Sequence, residues 1–179
     1  MKKILFLLVP MLAIIIFSCN NSADKTVADN SAANKAKTQQ FYDQVINGHN
    51  TAMIDSFCVA DFVDHNPDPG YSGKGTAELK NVFGGMFAAF PDLKATTNFM
   101  VAKGDTVISY VTMSGTNSGP MGTMPATNKS FSINGIDIII VKDGKATERW
   151  GMFDSKAMMS QLGMMPSGDA SKMDDKKKM

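Results

Sequence analysis

Between residues 36 and 47, AKTQQFYDQVIN, the apolar residues Phe41, Val45 and Ile46 fall on one helical stripe, and Gly48 follows as a stop. Residues 50 to 57, NTAMIDSF, read as a second short helix with Asn50 as its N-cap. The next stretch, VADFVDHNPDPGYSGKG, is rich in Pro and Gly and reads as turns. Helical spacing returns over 76 to 89 through Leu79, Val82, Phe83, Met86 and Phe87, and Pro91 ends it. The period then changes to two. Strands are predicted over 94–102 and 105–116, joined by KGD, and over 129–141 and 145–153, joined by the Asp-Gly turn of KDGK. A short helix over 155–162 closes the pattern. Helices followed by an antiparallel meander predict an α+β fold. A curved antiparallel sheet with helices packed on its concave face leaves a cone-shaped pocket at one end.

The ends of the chain follow other rules. Lys2 and Lys3 precede an apolar run from Ile4 to Phe17, then Ser18 and Cys19. That run is shorter than the roughly 20 residues a bilayer requires and has the length of a signal-peptide core. The stretch IIFSCNN resembles a bacterial lipobox. Residues 1–18 are therefore read as a lipoprotein signal peptide, with Cys19 the lipidated residue. Residues 19–37 are polar and read as a disordered tether, and 164–179 as a disordered charged tail. The domain between them spans 38–163. This reading puts the protein in the bacterial cell envelope, lipid-anchored to a membrane, the outer membrane being the expected one.

Composition narrows the chemistry. The chain is 44% hydrophobic with a formal net charge of +1, which argues against nucleic acid as a partner. With Cys19 lipidated only Cys58 remains, so no intrachain disulfide forms. Cys58, in DSFCVADF, reads as a packing residue rather than a nucleophile. His49, in the NGHN turn, reads as exposed. No second His or Cys lies at metal-ligand spacing from His65, so no metal site is expected.

The carboxylates in the last hairpin, GIDIIIVKDGKATERWGMFD, carry the open question. Alternation places Glu148, Trp150, Met152 and Asp154 on one face, and Thr147, Arg149, Gly151 and Phe153 on the other. Trp150 and Met152 between two carboxylates have the composition of a pocket wall, with Trp150 pointing into the cone. Asp154 is either a pocket acid or the N-cap of the helix after it. Asp137 shares the parity of Phe131, Ile133 and Ile139 and faces the interior, unless a bulge at Gly135 displaces it. Glu148 is either in that wall or a solvated hairpin charge. His65, in a loop crossing the mouth, is a pocket base or a structural loop residue. The Met-rich loop around Met121 is core packing or an adaptable pocket lining.

The ordered set AAFPDLK, SGTNSGPMGTMPATNKSFSINGIDIIIVKDGKATERWGMFD and SQLG resembles the SnoaL-like polyketide or ester cyclases of the NTF2-like superfamily. The resemblance covers nearly all of 38–163 and implies the cone fold. It implies an aldol-type ring closure run without metal or organic cofactor, with an acidic side chain moving the proton. The matching acid is Asp154, and DFVDHNP matches the loop that supplies a polar pocket residue, His65 or Asn66. Asn117 stands where many relatives carry His. Catalytic roles are thus expected for Asp154, His65 and Asp137, and substrate contacts for Asn66, Trp150, Met152, Asn117 and Met121. The partner is a small apolar molecule, and a homodimer through the sheet is in keeping with the fold. The two functional classes are a cofactor-free cyclase, isomerase or lyase and a non-catalytic hydrophobic binding lipoprotein.

Overall fold

The computed structural model describes residues 29–165. The signal segment, Cys19 and all but the first two residues of the expected tail lie outside them. The first helix, α1 (Ser31–Phe41), begins inside the segment read as a tether. It has no strong apolar stripe there. Instead Asn34 is buried, and its amide donates to the carbonyls of Gly104 (3.0 Å) and Val141 (3.2 Å). Polar composition thus hides a helix that docks through hydrogen bonds rather than apolar area. A wider turn, Tyr42–Ile46, continues α1 and buries Tyr42, Val45 and Ile46. A 3-10 turn, Thr51–Met53, leads into α2 (Ile54–Phe57). The long helix α3 spans Thr76–Ala89 and α4 spans Ser155–Leu162, as the periodicity predicts.

The sheet is mixed, not purely antiparallel. Its order is β1-β5-β4-β3-β2. Strands β2 (Lys94–Lys103), β3 (Thr106–Thr116), β4 (Ser130–Lys142) and β5 (Lys145–Phe153) form the expected meander. The fifth, β1 (Cys58–Asp64), lies in the stretch read as turns and pairs parallel to β5, with Asp64 beside Arg149.

The β4–β5 register carries the main correction. Val141 pairs with Ala146, but Ile140 pairs with Glu148, so Thr147 is an extra residue on β5. A one-residue bulge moves every later side chain to the other face. Arg149, Gly151 and Phe153 therefore point inward, and Trp150 points outward, the reverse of the simple alternation. Two close approaches fix this packing. A Cβ on Gly135 would stand 2.2 Å from the Phe153 ring, and one on Gly151 would stand 2.1 Å from the Arg149 guanidinium.

The inner face and the helices enclose a core that includes Tyr42, Phe90, Leu93, Val111, Phe131 and Leu162. The outer face carries two apolar rows in register. Phe99, Tyr110, Ile136 and Met152 form one, and Val101, Ile108, Ile138 and Trp150 the other. No helix among the described residues is long and apolar enough to cross a membrane.

Candidate functional site

Helix α3, strand β1 and the inner face of the sheet surround a cavity of about 520 Å³. Phe62, Leu79, Val82, Met86, Phe131, Ile133, Phe153 and Met158 supply apolar wall, and Asp64 and Arg149 add charge to it. The 66–71 loop, with Asn66, Asp68 and Tyr71, also lines the cavity.

Arg149 is the centre of the polar wall. Its Nε donates to Asp137 Oδ1 at 2.7 Å and its Nη1 donates to Asp64 Oδ2 at 2.5 Å. The other oxygen of Asp137 accepts from the Tyr42 hydroxyl at 2.9 Å. The side chains of Asp137 and Asp64 are only 6% and 11% exposed, so these are desolvated, charge-assisted bonds. Burial works against the guanidinium charge, but the carboxylates of Asp137 and Asp64 outweigh it and hold Arg149 protonated. Burial first, and then the Asp137 carboxylate, pushes the Tyr42 phenol well above its usual range, so it stays a neutral donor. Among the described residues no hydrogen bond leaves Nη2 of Arg149, which leaves a donor for a ligand oxygen. Each partner comes from a different element: Tyr42 follows α1, Asp64 ends β1, Asp137 is mid-β4 and Arg149 is mid-β5.

Glu78 also lines the cavity, but its carboxylate accepts from the Ser72 N–H (2.7 Å), the Ser72 hydroxyl (2.8 Å) and the Lys74 N–H (2.9 Å). These donors, the Ser72 N–H first, hold its pKa below the usual carboxylate range. Its work is to pin the loop before α3.

The residues singled out from sequence divide into three groups. Asp137 is buried on the inner face within the Arg149 cluster. Asn66 and Met152 line the main cavity, Met152 from the outer rim. The others lie elsewhere. Asp154 is exposed, absent from the cavity wall, and caps α4 by accepting from the Ala157 N–H at 2.8 Å. His65 is exposed, stacks on Trp150 with ring centroids 4.2 Å apart, and places Nε2 2.9 Å from Glu148. That trio sits on the outside of the sheet because of the Thr147 bulge. Asn117 is fully buried but organises its own loop: its amide donates to Gly119 O (2.8 Å) and accepts from the Thr127 N–H (2.8 Å). Met121 packs against the core and pairs with Met124 across that loop. His49 is half-buried rather than exposed, stacked on Phe87 and 3.0 Å from the Leu93 carbonyl. Cys58 is buried, and burial pushes its thiol up to about 12, which suits packing rather than attack.

Asp154→Ala should therefore cost about 0.5–2 kcal/mol of stability, the worth of a helix cap, and leave the ligands that copurify with the protein unchanged. Chemical denaturation and mass spectrometry of bound small molecules check the two halves. Loss of ligand at full stability would return Asp154 to the site.

Sequence reasoning missed Asp64, Arg149 and Tyr42 as partners. One signal was available. Gly135 and Gly151, each two residues from a charged strand residue, mark close approaches in β4 and β5.

Comparison with known proteins bears on the same region. Residues 36–162 match the family of SnoaL-like polyketide cyclases. Among solved structures, TsrD from Streptomyces laurentii aligns with a TM-score of 0.67 at 24% identity, over 75% of this chain and 97% of that one. IdmH from Streptomyces antibioticus, described as a candidate polyketide cyclase, aligns with a TM-score of 0.64 at 26% identity, over 73% of this chain and 98% of that one. A SnoaL-like polyketide cyclase from Agrobacterium tumefaciens aligns with a TM-score of 0.60 at 15% identity, over 73% and 98% of the two chains, and speaks for fold alone. No functionally curated protein matched.

Proposed function

Because this chain belongs to the SnoaL-like polyketide cyclase family, we propose that it is a cyclase-, isomerase- or lyase-type enzyme for a small, mostly apolar carbonyl compound. The observation that carries this reading is Arg149, held between two carboxylates in the wall of a cavity that also presents Phe62, Leu79, Val82, Phe131 and Ile133. The chemistry uses side chains alone. The substrate carbonyl oxygen lies at Nη2 of Arg149, whose fixed charge stabilises an enolate as it forms. Asp64, on the same wall, takes the proton from the carbon next to that carbonyl. The enolate carbon then attacks a second carbonyl of the substrate, a carbon–carbon bond closes the ring, and Asp64 returns its proton to the new alkoxide. Asp137 and Tyr42 orient Arg149 from behind.

The second reading is a hydrophobic binding protein without turnover. One observation favours it: Asp64 and Asp137 are both already engaged by Arg149. Mass spectrometry separates the two. Small molecules copurifying with the full chain are identified, then returned to it in excess. Ring closure yields an isomer of equal mass, or one lighter by a water. A ligand recovered unchanged makes the protein a binder.

The lipid anchor belongs to the same proposal. Cys19→Ala should abolish the acyl mass and release the domain from membranes. Membrane fractionation identical to wild type would remove the anchor. A homodimer would bury the two apolar rows of the outer face, and sedimentation as a monomer at micromolar concentration would rule it out.

A further inference from the structure

A smaller chamber, about 60 Å³, lies under α1 beside the main cavity. The two spaces share three walls, Phe62, Leu79 and Arg149. Its remaining walls are mostly apolar, with Phe41, Ile46, Phe57 and Ile139 prominent. The two polar groups at its inner end, the Tyr42 hydroxyl and the Asp137 carboxylate, already bond to each other. At its rim the Lys37 ammonium sits 4.7 Å from the Phe57 ring centroid, and Thr38 donates to Asn34. Water inside it would find few partners, which is the condition under which a chamber favours apolar groups.

We propose that this chamber is a second subsite, which takes a short unbranched alkyl arm of the same ligand whose carbonyl lies at Arg149. The inference rests on the carbonyl site proposed above. Three features select that occupant. Arg149 borders both spaces, so a ligand carbonyl anchored there lies at the boundary between them. The volume admits about two or three methylene-sized groups, too few for a separate ligand or a ring. The Asp137 carboxylate beside it disfavours an anionic end group. The ligand is then an unsymmetrical ketone, with its bulk in the main cavity and its small arm beneath α1.

Aryl alkyl ketones of increasing arm length test this: acetophenone, propiophenone, butyrophenone, valerophenone and hexanophenone, titrated calorimetrically into the full chain. Each methylene up to butyrophenone should tighten Kd about fourfold, the equivalent of about 0.8 kcal/mol per buried methylene. Longer arms should bring no further gain. Ala146 is a further wall of the chamber, so Ala146→Leu fills it and should flatten the series while acetophenone binds as before. Ile139→Ala enlarges it and should move the plateau to longer arms. If one variant fails to fold by circular dichroism, the other still decides. A flat series in the wild type with acetophenone bound, or a slope that survives Ala146→Leu, overturns the subsite and leaves the carbonyl site standing. If acetophenone itself does not bind, the carbonyl site falls and the subsite with it.

Discussion

Arg149→Met should lower folding stability by about 3–5 kcal/mol, the usual cost of removing one partner from a buried ion pair. The reason lies in what stays behind. Asp137 and Asp64 are both desolvated, and both lean on the one guanidinium. Without it two like charges face each other with little water to screen them. Met fills much the same volume, so a cavity is not the cause of the loss. Adding Asp137→Asn to Arg149→Met should recover part of it, because the second substitution removes one of the stranded charges. Urea denaturation of the two single variants and the double variant gives the coupling directly. Additive losses would mean that Arg149 and Asp137 do not communicate, and the cluster would cease to be a unit.

Asp64→Asn should reduce turnover by about 10²–10⁴-fold, the range ascribed to a positioned acid–base group. Asn keeps the shape of Asp and an oxygen that still accepts from Arg149, so ligand binding should persist. What it loses is the ability to take a proton. Single-turnover kinetics on the copurifying ligand separates the chemical step from binding. Undiminished turnover would hand the proton step to another group, Asp137 first. Binding lost together with turnover would mark Asp64 as a contact for the ligand instead.

Much of the fold was legible. Four strands lie within a residue of their predicted limits, and α3 and α4 coincide with theirs. These segments carry clear periods of 3.6 or 2 and strong turn signals. The inward position of Asp137 also followed from its parity with Phe131 and Ile133. The faces of β5 did not follow. Counting back from the Asp-Gly turn pairs Asp137 with Trp150 and turns both inward. The Thr147 bulge pairs Asp137 with Gly151 instead. Nothing about Thr147 by itself announces a bulge; the tertiary demand to bring Arg149 onto Asp137 selects it. Strand β1 escaped for a different reason. CVADFVD alternates poorly, and the residues that follow it are Pro- and Gly-rich, so its strand character comes from β5 rather than from local preference. With β1 unseen, Asp64 had no neighbour, and the central pair of the site stayed invisible.

The parallel pairing of β1 with β5 also sets an order of events in time. The β2–β3 and β4–β5 hairpins join residues close in the chain and can form in microseconds. Asp64 meets Arg149 across 85 positions, and that contact waits for a long loop to close. Most of the sheet can therefore exist before the ionic cluster does. A chain leaving the ribosome exposes β1 long before its partner strand has been made. During that interval the Cys58–Asp64 segment has no strand to pair with, and Asp61 and Asp64 are charges of the kind that oppose pairing with another chain.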